Sequence, residues 1–103
     1  MKRITALLHT NRVADVLHAI EGAGERRVSI TETRGLLHTS NVREFDYSVQ
    51  MGERMTIQAQ VDVFCEDAQL EALVAVIRKH GHSGMPRSGW IFVSPIELGV
   101  AID

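Results

Sequence analysis

Apolar positions along this chain change period in a repeated order. Ile4, Ala6 and Leu8 alternate with Arg3, Thr5, Leu7 and His9, which predicts a strand. Val13, Val16, Leu17 and Ile20 then recur at i, i+3, i+4 and i+7, the spacing of one helix face, with Thr10 or Asn11 as its cap and Gly22 and Gly24 as its stop. A second strand follows, with Val28 and Ile30 inward and Ser29, Thr31 and Thr33 outward. The order then repeats. Ile57, Ala59, Val61 and Val63 alternate with Gln58, Gln60, Asp62 and Phe64. Glu66 or Asp67 caps a helix carrying Leu70, Leu73, Val74 and Ile77, and Gly81 closes it. The last strand, Trp90 to Ile96, holds Pro95, which has no N–H to give a ladder and belongs on a sheet edge.

Two such strand–helix–strand units in tandem predict a ferredoxin-like α+β fold, βαββαβ. It has a four-stranded antiparallel sheet, with right-handed crossovers placing both helices on one face. The other face then presents Leu7, Phe64, Trp90 and Phe92 among polar residues, a patch that predicts an oligomer covering it. Between the two units, from Gly35 to Met55, roughly twenty residues exceed what a hairpin needs. Arg43, Glu44 and Asp46 stand there beside Phe45 and Tyr47, a mixture suited to docking on a partner; disorder of the free segment is equally compatible with it.

Composition narrows the field. The 103 residues suffice for one domain, and 45% hydrophobic with 23% charged residues is the balance of a soluble globular protein. A net charge of −2 offers no basic stripe for nucleic acid. Cys65 is the single cysteine, so no disulfide framework exists and a reducing cytoplasm is expected. The opening MKRITALLH is too short and polar for a signal peptide, and no apolar run approaches a membrane span. The histidines (His9, His18, His38, His80 and His82) lack ligand spacing beyond the pair around Gly81, so they read as surface or helix-end residues rather than metal ligands. Cys65 reads as an apolar filler, and Glu66 and Asp67 as helix caps, which leaves no catalytic residue. The stretch Ser83 to Glu97, SGMPRSGWIFVSPIE, is different. A loop of Gly, Ser and Pro can turn successive N–H groups toward an anion, and Arg87 adds a fork of donors. The alternative is an ordinary connection built from turn residues. The preceding helix ends at this loop, so its dipole is negative there and gives an anion no help.

Taken together, these segments resemble the PII signalling family. MKRITALLHTNRVADVLHAIEGAG is similar to that family's opening strand and amphipathic helix. VSITETRG, Val28 to Gly35, is similar to TVTEVKG before the family's long loop, and the final loop and strand to TGxxGDGKIFV, the turn that grips nucleotide phosphates. The register covers the whole chain. The resemblance implies a single domain over residues 1–103, with a T-loop-like segment at 36–55 and a phosphate loop at 82–89. It also implies a homotrimer with nucleotide clefts between subunits, no catalysis, and a signal passed through the long loop to a target, a transporter or metabolic enzyme.

Carried over by position, the resemblance puts Leu7 and Phe64 near the adenine, Ser29 as a hydroxyl partner of the base, and Asp62 near the ribose. Gly35, Leu36, Leu37 and His38 form the loop root, and Gly84, Ser88 and Gly89 offer phosphate-facing backbone. Arg87 replaces a glycine as an added anion clamp, and Trp90 replaces a lysine. Ala101 and Asp103 stand where the family has two arginines, Thr39 where it has a glutamine that helps hold Mg²⁺ and 2-oxoglutarate, Gln58 where it has a lysine that pairs with the oxoacid, and Met51 where many relatives have a modified tyrosine. A hydrogen bond to a charged group contributes roughly 1.5–3 kcal/mol, so losing several weakens triphosphate binding by orders of magnitude. The departures therefore point away from Mg-ATP, 2-oxoglutarate and uridylylation, and toward ADP or AMP ahead of ATP. A divergent PII-like group associated with carboxysomes and inorganic-carbon uptake shows similar erosion, with Arg87, His38 and Thr39 here as donors for bicarbonate. No obligatory cofactor is implied. Because the same fold also carries small trimeric metal-binding proteins and small phosphohydrolases, those stand as the alternatives.

Overall fold

Ile4, Ala6 and Leu8 are buried together with Val61, Val63 and Cys65, and against them lie Val16, Ile20, Leu73 and Ile77. These are the inward positions of two strands and the stripes of two helices. The computed structural model describes residues 1–35, 45–48, 53–84 and 88–103, with 45–48 and 53–56 described through their backbone. Along the chain run β1 (Lys2–His9), α1 (Val13–Gly22), β2 (Val28–Gly35), β3 (Phe45–Ser48), β4 (Glu53–Cys65), α2 (Leu70–Gly81) and β5 (Gly89–Pro95). The sheet order is β2-β4-β1-β5, antiparallel throughout, with β3 added against β4. Both helices cover one face, giving the expected ferredoxin-like α+β arrangement.

Register explains the core. Ile4 pairs with Val63 and Ala6 with Val61, so the apolar sets of β1 and β4 fall on the same face. Each fully buried Val, Leu or Ile contributes about 1.5–3 kcal/mol, which makes this row the main source of stability. Ile30 departs from its inward reading. It pairs with the buried Val61 yet is 47% exposed, because β2 is an edge strand and the helical layer does not reach that far. Pro95 ends β5 on the opposite edge, where its missing N–H breaks no ladder.

The two helices begin differently. A 3-10 turn, Thr10–Arg12, precedes α1, so the cap positions fall on His9 and Arg12, neither with a side-chain cap; the sequence placed the cap on Thr10 or Asn11. Arg12 instead donates to the His80 carbonyl at 2.8 and 3.0 Å and pairs with Asp15, tying the start of α1 to the end of α2. Before α2, Glu66 and Gln69 form a reciprocal capping box, and Asp67 pairs with the N-terminal ammonium at 2.9 Å.

The segment expected to run as a loop from residue 36 to 55 is in part paired strand. Ser48 lies opposite Glu53 and Phe45 opposite Thr56. Thr56 also pairs with Gly35, so β3 runs on the β1 side of β4, away from β2. A strand of thirteen residues is long enough to carry this second pairing beyond the end of β1. Among the described residues, no helix is long and apolar enough to cross a membrane.

Candidate functional site

The sheet face away from the helices carries the chemistry. Across four strands, Ser29, Asp62, Thr5 and Phe92 form one row, and Thr31, Gln60, Leu7 and Trp90 the next. Trp90 and Phe92 are each 54% exposed and stack with centroids 6.2 Å apart at 14°. Leu7 lies directly beside Trp90, and Phe64 lies beside Arg3 one row beyond Asp62. Leu7, Trp90, Asp62, Ser29 and Phe64 thus share one face, as alternation predicted.

They do not form one cleft within a single chain. Ser29 is on the β2 edge and Trp90 on the β5 edge, separated by about 14 Å at the usual strand spacing. One subgroup, Ser29 with Gly35, belongs to the β2 side. The other, Trp90 with Gly84, Ser88 and Gly89, belongs to the loop and strand on the opposite side. The two subgroups therefore stand on opposite edges of the sheet.

Asp62 is more constrained than the sequence reading allowed. Its carboxylate accepts from Thr5 Oγ1 at 2.7 Å, Arg3 Nε at 3.0 Å and Gln60 Nε2 at 3.1 Å. Burial pushes its pKa up, but the donors from Thr5, Arg3 and Gln60 outweigh that and hold it below the ordinary carboxylate value. The carboxylate is held ionised as the hub of the face. Arg3, Thr5 and Gln60 were not among the expected site residues, although their alternation places them on Asp62's face.

The loop after α2 is organised by its own side chains. Ser88 Oγ accepts from Ser83 N and Ser83 Oγ, both at 2.9 Å. Gly84, at φ +88°, donates its N–H to His82 Nδ1 at 2.9 Å. The Gly84 N–H expected to face phosphate is engaged here by the His82 imidazole. Gly89 has a packing reason: a Cβ there would collide with the Leu7 carbonyl, so only glycine lets β5 lie flat on β1. At the far end, a Cβ on Gly35 would stand 2.5–2.7 Å from the Gln58 amide group. Gln58 Oε1 and Thr33 Oγ1 are buried there with no hydrogen-bond partner among the described residues. Leu36, Leu37, His38, Thr39, Arg43 and Arg87 lie outside the described residues, as do the side chains of Phe45 and Tyr47. Among the described residues, no three of His, Cys, Asp and Glu gather closely enough to hold a metal ion.

The chain is a ferredoxin-like α+β domain whose open sheet face carries an exposed aromatic pair. The family model for nitrogen regulatory protein P-II matches residues 1–102. The chain is 28% identical to a nitrogen regulatory protein P-II of Azospirillum brasilense and 30% identical to one of Mesorhizobium japonicum, each alignment covering 99% of this chain and 91% of the relative. It is 22% identical to the nitrogen regulatory protein GlnK of Escherichia coli, again over 99% and 91%. The chain belongs to the P-II family, whose members are signalling regulators rather than enzymes.

Proposed function

We propose that this regulator works as a homotrimer that senses adenine nucleotides, ADP or AMP ahead of ATP, at the seams between subunits. The observation that carries the reading is the division of the candidate residues between two opposite sheet edges, with exposed Trp90 and Phe92 on the β5 edge beside the loop. Exposed aromatic surface of this kind is stabilised by a neighbouring copy, and bringing β2 against β5 completes a cleft. Ser29 then approaches the base, and the 82–89 loop with Arg87 holds the phosphates. Residues 36–55, with Arg43, Phe45 and Tyr47, dock on a target protein, a transporter or metabolic enzyme of the cytoplasm.

Bicarbonate is the proposed co-ligand, held from His38, Thr39 and Arg87. What supports it is the pair of buried oxygens, Gln58 Oε1 and Thr33 Oγ1, that have no hydrogen-bond partner among the described residues, beside Gly35 at the loop root. An anion carrying its own O–H can donate to Gln58 while accepting from Thr33, which a fully ionised dicarboxylate cannot do.

Calorimetric titration with AMP, ADP and ATP, with and without bicarbonate, tests this. ADP or AMP binds with a dissociation constant in the micromolar range, about −8 kcal/mol, and no phosphate is released on prolonged incubation. Arg87→Ala weakens binding about tenfold or more, as loss of a charged hydrogen bond requires. An unchanged Arg87→Ala titration removes the phosphate role, and heat from none of the nucleotides removes the sensor reading.

A further inference from the structure

The chain leaves α2 through His82, whose backbone is extended at φ −68° and ψ 126° and which is exposed. Two residues on, Gly84 turns left-handed at φ +88°, and its N–H donates to His82 Nδ1 at 2.9 Å. An imidazole nitrogen accepts only when it carries no proton, so this bond belongs to the neutral ring with its hydrogen on Nε2. Ser83 N and Ser83 Oγ are likewise turned onto Ser88 Oγ. These donors are held by the loop's own side chains. Gly84 is nevertheless exposed, with nothing within 4 Å of the place a Cβ would take, so its N–H stands beside space that an anion can enter.

The surroundings of the ring decide what releases that N–H. His82 lines a groove of about 740 Å³ between α2 and β5, together with Arg78 and Lys79 from the last turn of α2. Strands β1 and β5 give this groove only uncharged side chains, and no carboxylate lines it among the described residues. His80 adds a third basic group to the same turn. Its carbonyl is taken by Arg12, from the turn before α1, which also pairs with Asp15. A proton on His82 therefore joins a cluster of cations, and an arriving oxyanion offsets their repulsion. The same proton turns Nδ1 from an acceptor into a donor, which breaks the bond to Gly84.

We infer that His82 gates an oxyanion site at the start of the 82–89 loop: the neutral ring holds the Gly84 N–H, and the imidazolium yields it to a phosphate-like group and adds an N–H of its own. Proton and anion then support each other's binding, so anion affinity rises as the pH falls and anion binding draws in a proton. The inference rests on the proposed reading of residues 82–89 as a phosphate loop. It adds a pH dependence opposite in sign to that of the phosphates themselves, which lose charge on acidification.

Inorganic sulfate is the probe, because it stays dianionic where imidazoles titrate. The full chain is titrated with it at about pH 6 and about pH 8, at constant ionic strength, and binding is read from the NMR shift of the Gly84 amide. The expected dissociation constant is roughly tenfold lower at the acid value. His82→Asn keeps an acceptor oxygen near the place of Nδ1 but takes up no proton, so it binds weakly at both values. His82→Ala frees the N–H outright and binds with equal affinity at both. Equal wild-type affinity at the two values overturns the inference, as does a His82→Asn chain that keeps the change or a Gly84 amide that sulfate leaves unmoved. ADP separates the gate from the nucleotide reading. The ratio of wild-type to His82→Asn affinity for ADP, in which protonation of the phosphates cancels, rises about tenfold on acidification. ADP binding with a constant ratio overturns the gate alone, whereas a pH-dependent sulfate site that no nucleotide occupies overturns only the sensor reading.

Discussion

Glu25 sits buried in the connection between α1 and β2, with the donors of its neighbours gathered on it. Arg26 N and Arg27 N each reach Oε1 at 2.9 Å, Arg27 Nε reaches it at 3.1 Å, and Arg27 Nη2 reaches Oε2 at 3.1 Å. The Arg27 side chain is the main reason its pKa falls from 4.5 to about 2; burial opposes this, and the backbone N–H groups of Arg27 and Arg26 reinforce it. Since the folded value is the lower one, the unfolded chain binds more protons between pH 4.5 and 2. The stabilisation is therefore complete above pH 4.5 and is lost as the pH falls toward 2. Glu25→Gln flattens that part of the acid slope in denaturant titrations run across this range. Gly89 is the second residue that decides much locally. Gly89→Ala drives a methyl into the Leu7 carbonyl and lowers stability by roughly 1–3 kcal/mol, read as a drop in Tm.

The second helix shows how far local rules carry. Its capping box, the Leu73 and Ile77 stripe and the basic last turn of Arg78, Lys79 and His80 agree with one another, and each is visible in the sequence. Glu66→Ala removes the cap and costs about 1 kcal/mol, measurable by urea denaturation. The first helix was less legible. Arg12 reaches a carbonyl contributed by His80, a partner that no local pattern announces. The loop into β5 combines both situations: its glycines and serines marked a turn, but the N–H of Gly84 goes to His82, and the Ser88 hydroxyl joins the loop's two ends.

Seen whole, the molecule has one face closed by helices and one left open around Asp62, with stacked Trp90 and Phe92 at its β5 edge. A charge in the middle of that aromatic surface opposes its burial against another copy. Trp90→Asp or Phe92→Asp shifts sedimentation toward the single-subunit mass while the far-ultraviolet circular dichroism is retained. Unchanged sedimentation in both variants would mean that the open face is not where copies meet. A merely scattered patch also predicts no change on Leu7→Asp, so that substitution separates a continuous interface from isolated exposed rings.

Alternation and helical spacing depend on neighbours two to four residues away, so the order of the two helices and four main strands, most inward residues and the sheet faces were readable from the chain alone. The likeness to P-II proteins followed the same local segments and proved to extend over residues 1–102. Contacts between distant residues were not readable in this way. Thr5 and Arg3 meet Asp62 because the β1–β4 register brings them together, Ile30 is exposed because β2 lies at an edge, and Phe45–Ser48 pairs because β4 outruns β1. Sheet register and edge position are set by packing across the whole fold, and they determine which polar groups are already engaged and which surfaces remain to be covered.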